Sequence, residues 1–395
     1  MLQFLAYFGI ALWVVVAVVH LVAFLRAKFY LFTYNSQTNK MDNPIGISIV
    51  KTLVNYTPEV ITNLESVFCL EYPLFEVVIC IQDEESSILS HVSNIVKKYP
   101  NVDCRIFSGA ENVGVNPKIN NLMQCYDSLK YEHVWICDSN IKVYKGTLGE
   151  MASNLNDNVG MIHQLPFIDL TCKGYGASLE KVYFGTHHAR WYLFFNTLNV
   201  PCCNGMSSIF NKSILEKHGG LKALANNIAE DHYMAMNFYE NGYKLVLSTE
   251  PAYQNPSQMS YPYFVNRMTR WQILRLTMLP SGFLEPLIEN ICLGLFFSWS
   301  IQYLYSIYFW KVLFLHEIIW LSSDALLLCT IEKKFHSSLL ELFFGWLFRE
   351  ISTYYIFARA VWDRSITWNK SKYKINFDVQ SISKFLPTKN ENKNI

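Results

Sequence analysis

The chain has 395 residues, with 33 Lys plus Arg against 32 Asp plus Glu, for a formal net charge of +1. That balance lacks the basic excess of a dedicated nucleic-acid binder, so no nucleic-acid partner is expected. Hydrophobic residues make up 51% and charged residues 16%. The charged share is below the roughly 25% of soluble domains, which excludes disorder over most of the chain and argues against a simple soluble protein.

From Phe4 to Leu25 the chain is almost wholly apolar, and its first formal charges are Arg26 and Lys28. About 20 such residues cross a hydrocarbon core as a helix. A cleaved signal peptide would begin with basic residues and carry a shorter apolar run. Residues 1–30 therefore read as a retained transmembrane anchor. Arg26, Lys28 and Lys40 place the chain beyond the anchor on the cytosolic side.

Residues 31–278 read as one α/β domain. Ile47–Leu53, Glu76–Gln82, Val102–Phe107 and His133–Cys137 have the apolar character of buried strands. Ser86–Tyr99 and Lys118–Tyr131 read as the helices between them. Strand and helix in alternation predict a largely parallel sheet covered on both faces. Ligands of such sheets lie beyond the carboxyl ends of the strands, where Asp83 and Asp138 fall. No P-loop or Gly-rich dinucleotide fingerprint is present. The ten cysteines are dispersed without a C-x-x-C pair, the pattern of reduced thiols. Three glycosylation-type triplets begin at Asn55, Asn211 and Asn369, and all three should stay unmodified on the cytosolic side.

Residues 279–365 read as membrane-embedded or interfacial helices. Candidate spans are Ile291–Phe309, Val312–Leu328 and Leu339–Val361, the last interrupted by Arg349 and Glu350. Trp310, Trp320, Trp362 and Trp368 fit interfacial belts. The tail, 366–395, is basic through Lys370, Lys372, Lys374, Lys384, Lys389 and Lys393, which favours the cytosol. The odd number of candidates leaves the number of full spans open. A channel or transporter using Arg349, Glu350 and Arg359 is disfavoured by the large α/β domain.

Four stretches carry chemistry. Trp135-Ile-Cys-Asp138-Ser139-Asn140 delivers a carboxylate into a small polar turn, as suits Mg²⁺ or Mn²⁺ holding a diphosphate. Gly114-Val-Asn116-Pro117-Lys118 opens a helix with a lysine, an arrangement that attracts phosphate or simply caps the helix. Glu230 and Asp231 offer a general base or a first-turn cap. Arg267-x-x-Arg270-Trp271 offers a diphosphate grip and an indole face, or a basic juxtamembrane helix.

In the order Asp83, Asp138, Asp231, Arg267-x-x-Arg270-Trp271, these residues resemble lipid-directed glycosyltransferases of the GT-A fold. The stretches Lys98–Val102, Val113–Met123, Trp135–Ser139, Val182–Thr186, Gly205–Ser207 and Ala229–Asp231 are similar to those of the ceramide glucosyltransferase family. The resemblance covers nearly the whole chain. It implies an α/β, GT-A type nucleotide-sugar-binding domain between membrane helices. It implies transfer of glucose from UDP-glucose to the primary hydroxyl of ceramide with inversion, a divalent metal, and a Golgi or endoplasmic reticulum membrane. It assigns Asp231 as the base, with Asp138 facing metal and diphosphate. Asp83, Lys118, Arg267, Arg270 and Trp271 are placed at the nucleotide sugar, and Glu230, His188 and Cys202 near the acceptor. One departure stands out: Glu84-Glu85-Ser86-Ser87 follows Asp83, where the family carries further aspartates. A weakened paralogue that binds without turnover, and a transferase with another lipid acceptor, are the alternatives.

Overall fold

A computed structural model of the chain describes residues 1–34, 43–333, 338–368, 371–374 and 386–387. Lys40, Asn369, Lys370, Lys384, Lys389 and Lys393 lie outside the described residues. The chain forms two compact units: a sheet unit of residues 26–172 and 192–258, and a helical unit of residues 1–25, 173–191 and 259–395.

The sheet unit contains four parallel strands where the apolar runs predict them: β1 (Ile47–Leu53), β2 (Phe75–Ile81), β3 (Cys104–Ser108) and β4 (His133–Asp138). They lie in the order β3-β2-β1-β4, and the strands Ser207–Asn211, Val159–His163 and Lys244–Leu247 follow beside β4. Ser207–Asn211 runs antiparallel to both of its neighbours. β3 at the end of the sheet stays half-exposed, whereas β2 and β4 are buried along most of their length, with Val78, Ile79, Val134 and Trp135 at most 1% exposed. Each such side chain taken fully from water contributes roughly 1.5–3 kcal/mol.

Two helices are shorter than their patterns predict. The first begins at Ile88 rather than Ser86, because Ser86 closes a turn onto the Asp83 carbonyl. The helix Pro117–Tyr126 stops before Tyr131, because the Lys130 N–H is taken by the buried Glu76 carboxylate at 2.7 Å. All ten cysteines are free thiols, as their spacing suggests.

Leu2–Tyr30 is one continuous helix, roughly 44 Å long at 1.5 Å per residue and able to cross a bilayer; residues up to Leu25 belong to the helical unit and residues 26–30 to the sheet unit. Phe309–Glu332 is a second such helix. The expected straight span Ile291–Phe309 is corrected. Its helix is Asn290–Tyr305, stopped by the left-handed Ser306 at φ 55°, and bent by 62° from Pro280–Ile288. Among the described residues there are therefore two candidate spans, or three if the bent pair is one. Leu339–Asp363 is helical but fails the apolarity of a span, because Arg349 and Glu350 interrupt it.

Those charges are buried rather than displayed. Asp324 accepts from Trp346 Nε1 at 3.0 Å, from Arg349 Nη2 at 2.9 Å and from Arg190 Nη1 at 3.3 Å. Arg349 also contacts Glu350. His187, Glu285 and Glu289 could share a cation by proximity. However, Arg275 lies 3.0 Å from Glu285 and Arg349 lies 3.8 Å from Glu289, so guanidinium groups already balance both carboxylates.

Candidate functional site

The site in the sheet unit is built at the carboxyl ends of the parallel strands. Asp138 ends β4 opposite Thr52 of β1, and Leu53 is opposite Ile81, the last residue of β2. Asp83 follows two residues later and is exposed. Asp83 and Asp138 thus flank the end of β1 on one edge of the sheet.

Main-chain and lysine contacts fix the Asp138 turn. The Asp138 N–H donates to the Met206 carbonyl at 2.8 Å. The fully buried Lys51 donates to the Asp138 carbonyl at 2.9 Å and to the Ile141 carbonyl at 2.7 Å. A lysine inside the apolar strand Ile-Ser-Ile-Val-Lys-Thr-Leu was a visible anomaly that sequence reasoning left unused. The Ser139 carbonyl accepts from Asn63 at 3.0 Å, and the Asn140 carbonyl from the Asn255 N–H at 2.7 Å.

Lys118 joins the carboxylates. Asn116 caps its helix, accepting from the Lys118 and Ile119 N–H groups at 2.8 and 3.2 Å, and Pro117 follows at the first helical position. The Lys118 Nζ lies 2.8 Å from Asp138 Oδ1 and 3.2 Å from Glu230 Oε1, and donates to the Gly205 carbonyl at 2.7 Å. Burial works against its charge, but Asp138 and Glu230 outweigh it and raise its pKa above the usual lysine value. Burial pushes the Glu230 carboxyl up, while Lys118 and the Asn116 amide, 2.9 Å away, pull it back.

Asp231 differs from its neighbour. Glu230 is buried, whereas Asp231 is half-exposed. Both oxygens of Asp231 accept from main-chain N–H groups: Oδ2 from Gly205 at 2.7 Å and Oδ1 from His232 at 2.9 Å. A Cβ on Gly205 would lie 2.9 Å from Asp231 Cβ and 3.0 Å from Oδ2, so the approach requires glycine. Cys202 lies three residues before Gly205 on the same loop. Burial, then Cys202 and Asp231, raise the neighbouring Cys203 thiol well above its usual value.

Asp138, Lys118, Glu230 and Asp231 are therefore brought together. Arg267, Arg270, Trp271 and His188 belong to the helical unit and form a cluster of their own. The Arg267 Nη1 donates to Glu180 at 2.8 Å, and its guanidinium lies 5.1 Å from both the Phe184 and Trp271 ring centres. The buried Glu180 partner gave no sequence signal. Burial, then the like charge of Arg267, lowers Arg270. His188 packs 5.8 Å from Trp271 and 5.4 Å from Phe184. Burial, then Arg275, holds its imidazole down to about 3, so it is neutral at physiological pH.

Comparison with known proteins accords with this arrangement. Residues 15–380 match the model of "Glycosyl transferase family 21". "Ceramide glucosyltransferase 1" of Caenorhabditis elegans is 34% identical over 92% of this chain and 78% of that relative. "Ceramide glucosyltransferase 3" of the same organism is 32% identical over 92% and 79%. Among solved structures, the mannosyltransferase PcManGT from Pyrobaculum calidifontis in complex with GDP-Man and Mn²⁺ superposes with a TM-score of 0.54 at 15% identity. The match covers 91% of this chain and 99% of that one, a likeness of fold alone, the GT-A fold. The chain belongs to glycosyl transferase family 21, among the ceramide glucosyltransferases.

Proposed function

We propose that the chain transfers glucose from UDP-glucose to the primary hydroxyl of ceramide, with Asp231 as the general base. The observation that carries the assignment is the contrast within the acidic pair. Glu230 is buried against Lys118 and Asn116, while Asp231 is accessible and both its oxygens are aimed by main-chain N–H groups. A base must reach the proton it takes, and Asp231 is the one of the two that can. It removes the hydroxyl proton as that oxygen forms its bond to the anomeric carbon. The bond to the UDP oxygen breaks on the opposite face, so the configuration inverts and UDP leaves.

Lys118 supplies positive charge beside Asp138, where the diphosphate of a nucleotide sugar would lie. Asp83 is assigned to the nucleotide on the same sheet edge. Arg270 and Trp271 keep the nucleotide-sugar role given by family resemblance, with Arg267 ordering them from its pair with Glu180. Cys202 and His188 are assigned to the acceptor side on the same resemblance. Asp138 would hold a divalent ion, since Lys118 pairs with Oδ1 and the side chain keeps 29% exposure. Such an ion, Mg²⁺ or Mn²⁺, would neutralise charge on the departing diphosphate.

On this reading residues 1–30 anchor the chain and residues 31–278 carry the chemistry. Residues 279–365 hold it at the bilayer, and 366–395 form a basic tail. The catalytic side faces the cytosol because Arg26 and Lys28 come directly after the anchor. The Golgi is the proposed compartment by family resemblance. The test is product identification: the purified full chain in proteoliposomes receives carbon-13-labelled UDP-glucose and ceramide. A labelled β-glucosylceramide supports the reading. Labelled UDP-glucose left intact, or a hexose on another lipid, overturns it.

A further inference from the structure

From Trp191 to Asn211 the chain contains no Asp, Glu, Lys or Arg, yet part of this stretch lies on the surface. The helix Ala189–Thr197 ends there. The chain then reverses through Asn199 at φ 55°, and the Val200 N–H returns to the Phe195 carbonyl at 3.0 Å. At the tip Leu198 is 56% exposed and Val200 44% exposed. Phe194 and Phe195 below them are half-buried. Among the described residues of the sheet unit, the other exposed aliphatic side chains, Leu74 and Ile106, stand singly. Paired exposed aliphatics in an uncharged stretch mark a contact surface.

The position of the tip identifies what it contacts. Arg26 is the first charge after the apolar run of the anchor, and its Nη2 donates to Asn196 Oδ1 at 3.5 Å. Its guanidinium lies 3.5 Å from the centre of the Tyr30 ring. Tyr30 donates to the Leu247 carbonyl, and the Phe32 N–H donates to the Thr249 carbonyl at 2.7 Å. Residues 26–32, at the end of the anchor, are thus part of the sheet unit and lie beside the tip. An arginine and a tyrosine at the end of a spanning helix sit at headgroup level.

We propose that Thr197–Val200 is a bilayer contact, with Leu198 and Val200 entering the boundary between headgroups and acyl chains. The proposal deepens the acceptor side of the proposed function and rests on Leu2–Tyr30 crossing the bilayer. The occupant is lipid, because the tip adjoins the residues that end the anchor and carries no charge. The same loop runs on through Cys202 to Gly205, whose N–H holds Asp231. Seating the tip in the bilayer therefore sets the base close to the layer from which a lipid hydroxyl arrives.

The test uses the full chain in phosphatidylcholine nanodiscs with a benzoylphenylalanine photo-crosslinker at Leu198. Val15, 58% exposed on the anchor, is the lipid-facing reference, and Tyr239, 47% exposed on the helix Glu230–Glu240, is the water-facing one. After irradiation, peptide masses are expected to show a phospholipid adduct at position 198 approaching that at 15 and well above that at 239. A yield at 198 no higher than at 239 overturns the proposal. So does a crosslink from 198 to a second copy of the chain in place of lipid. The readout needs no turnover, so failure of the glucosyl-transfer reading would leave it standing and show separately.

Discussion

The two units bury charge for opposite ends. In the helical unit Asp324 is fully buried, and Trp346, Arg349 and Arg190 surround it. In the sheet unit Lys118 is likewise held between carboxylates, but Asp138 keeps 29% exposure, and Asp231 is half-exposed beside it. A cluster buried on all sides presents no open face to a ligand. A charge cluster left open on one side has carboxylate oxygens that can meet substrate. Charge in an apolar chain is therefore informative only together with its exposure.

Four substitutions and titrations can break this contrast. The largest effect belongs to the closed cluster. Asp324→Ala leaves two guanidinium groups short of a partner, and breaking such a buried pair costs about 3–5 kcal/mol. Thermal unfolding of the purified chain in detergent should show it, while Asp138→Ala should cost less, because Lys118 keeps Glu230 and the Gly205 carbonyl. Equal losses would erase the distinction.

Next comes a pH effect in the sheet unit. Burial holds His163 down to about 3, and it lies 2.6 Å from the Tyr192 hydroxyl. Its folded pKa is below the unfolded value near 6.5, so the unfolded chain binds the extra proton. Stability is fully present above 6.5 and is lost as pH falls toward 3, by about 1.4 kcal/mol per unit from this group. Melting temperature against pH should fall less steeply in His163→Gln than in the wild type.

Gly205→Ala tests the open site with less disruption. The new Cβ would stand 2.9 Å from Asp231 Cβ, and the loop or the carboxylate must shift. A fall in kcat of about tenfold is expected, since misplacement of a reacting group by an ångström costs that order or more. The KM for UDP-glucose should stay unchanged; a change confined to that KM would assign Gly205 to the nucleotide. The smallest effect is expected from Ser86→Asp. Ser86 is half-buried in the turn after β2, beside the exposed Asp83, Glu84 and Glu85, so stability should move by no more than about 1 kcal/mol. A large gain in UDP-glucose affinity would instead show that the missing aspartate matters.

Much of this was legible in the chain. The apolar runs ending in Asp83 and Asp138 gave the parallel strands and the edge where the site lies, because buried strands leave little freedom in pattern. Asn116-Pro117 signalled a helix start for the same local reason. What escaped was set by distant partners. The early stop at Tyr126 comes from Glu76 capturing the Lys130 N–H, and the closeness of Gly205 to Asp231 from strand pairing that no local pattern records. Lys118 reads from sequence as a phosphate-attracting lysine at a helix start, and its bridge between Asp138 and Glu230 needs the folded sheet. The break at Ser306 was hidden because Ile291–Phe309 is apolar on both sides of it.

Asp138 at the end of β4 and Asp231 at the start of the helix Glu230–Glu240 divide the labour. This division is tested most directly by measuring UDP-glucose affinity and turnover side by side for Asp231→Asn and Asp138→Asn in nanodiscs. The account predicts that Asp231→Asn binds UDP-glucose as the wild type does and loses about 10²–10⁴-fold in turnover, the range of a lost general base. Asp138→Asn should lose UDP-glucose affinity as well. Turnover at the wild-type rate in Asp231→Asn, or loss of nucleotide binding in that variant while Asp138→Asn binds normally, would contradict it.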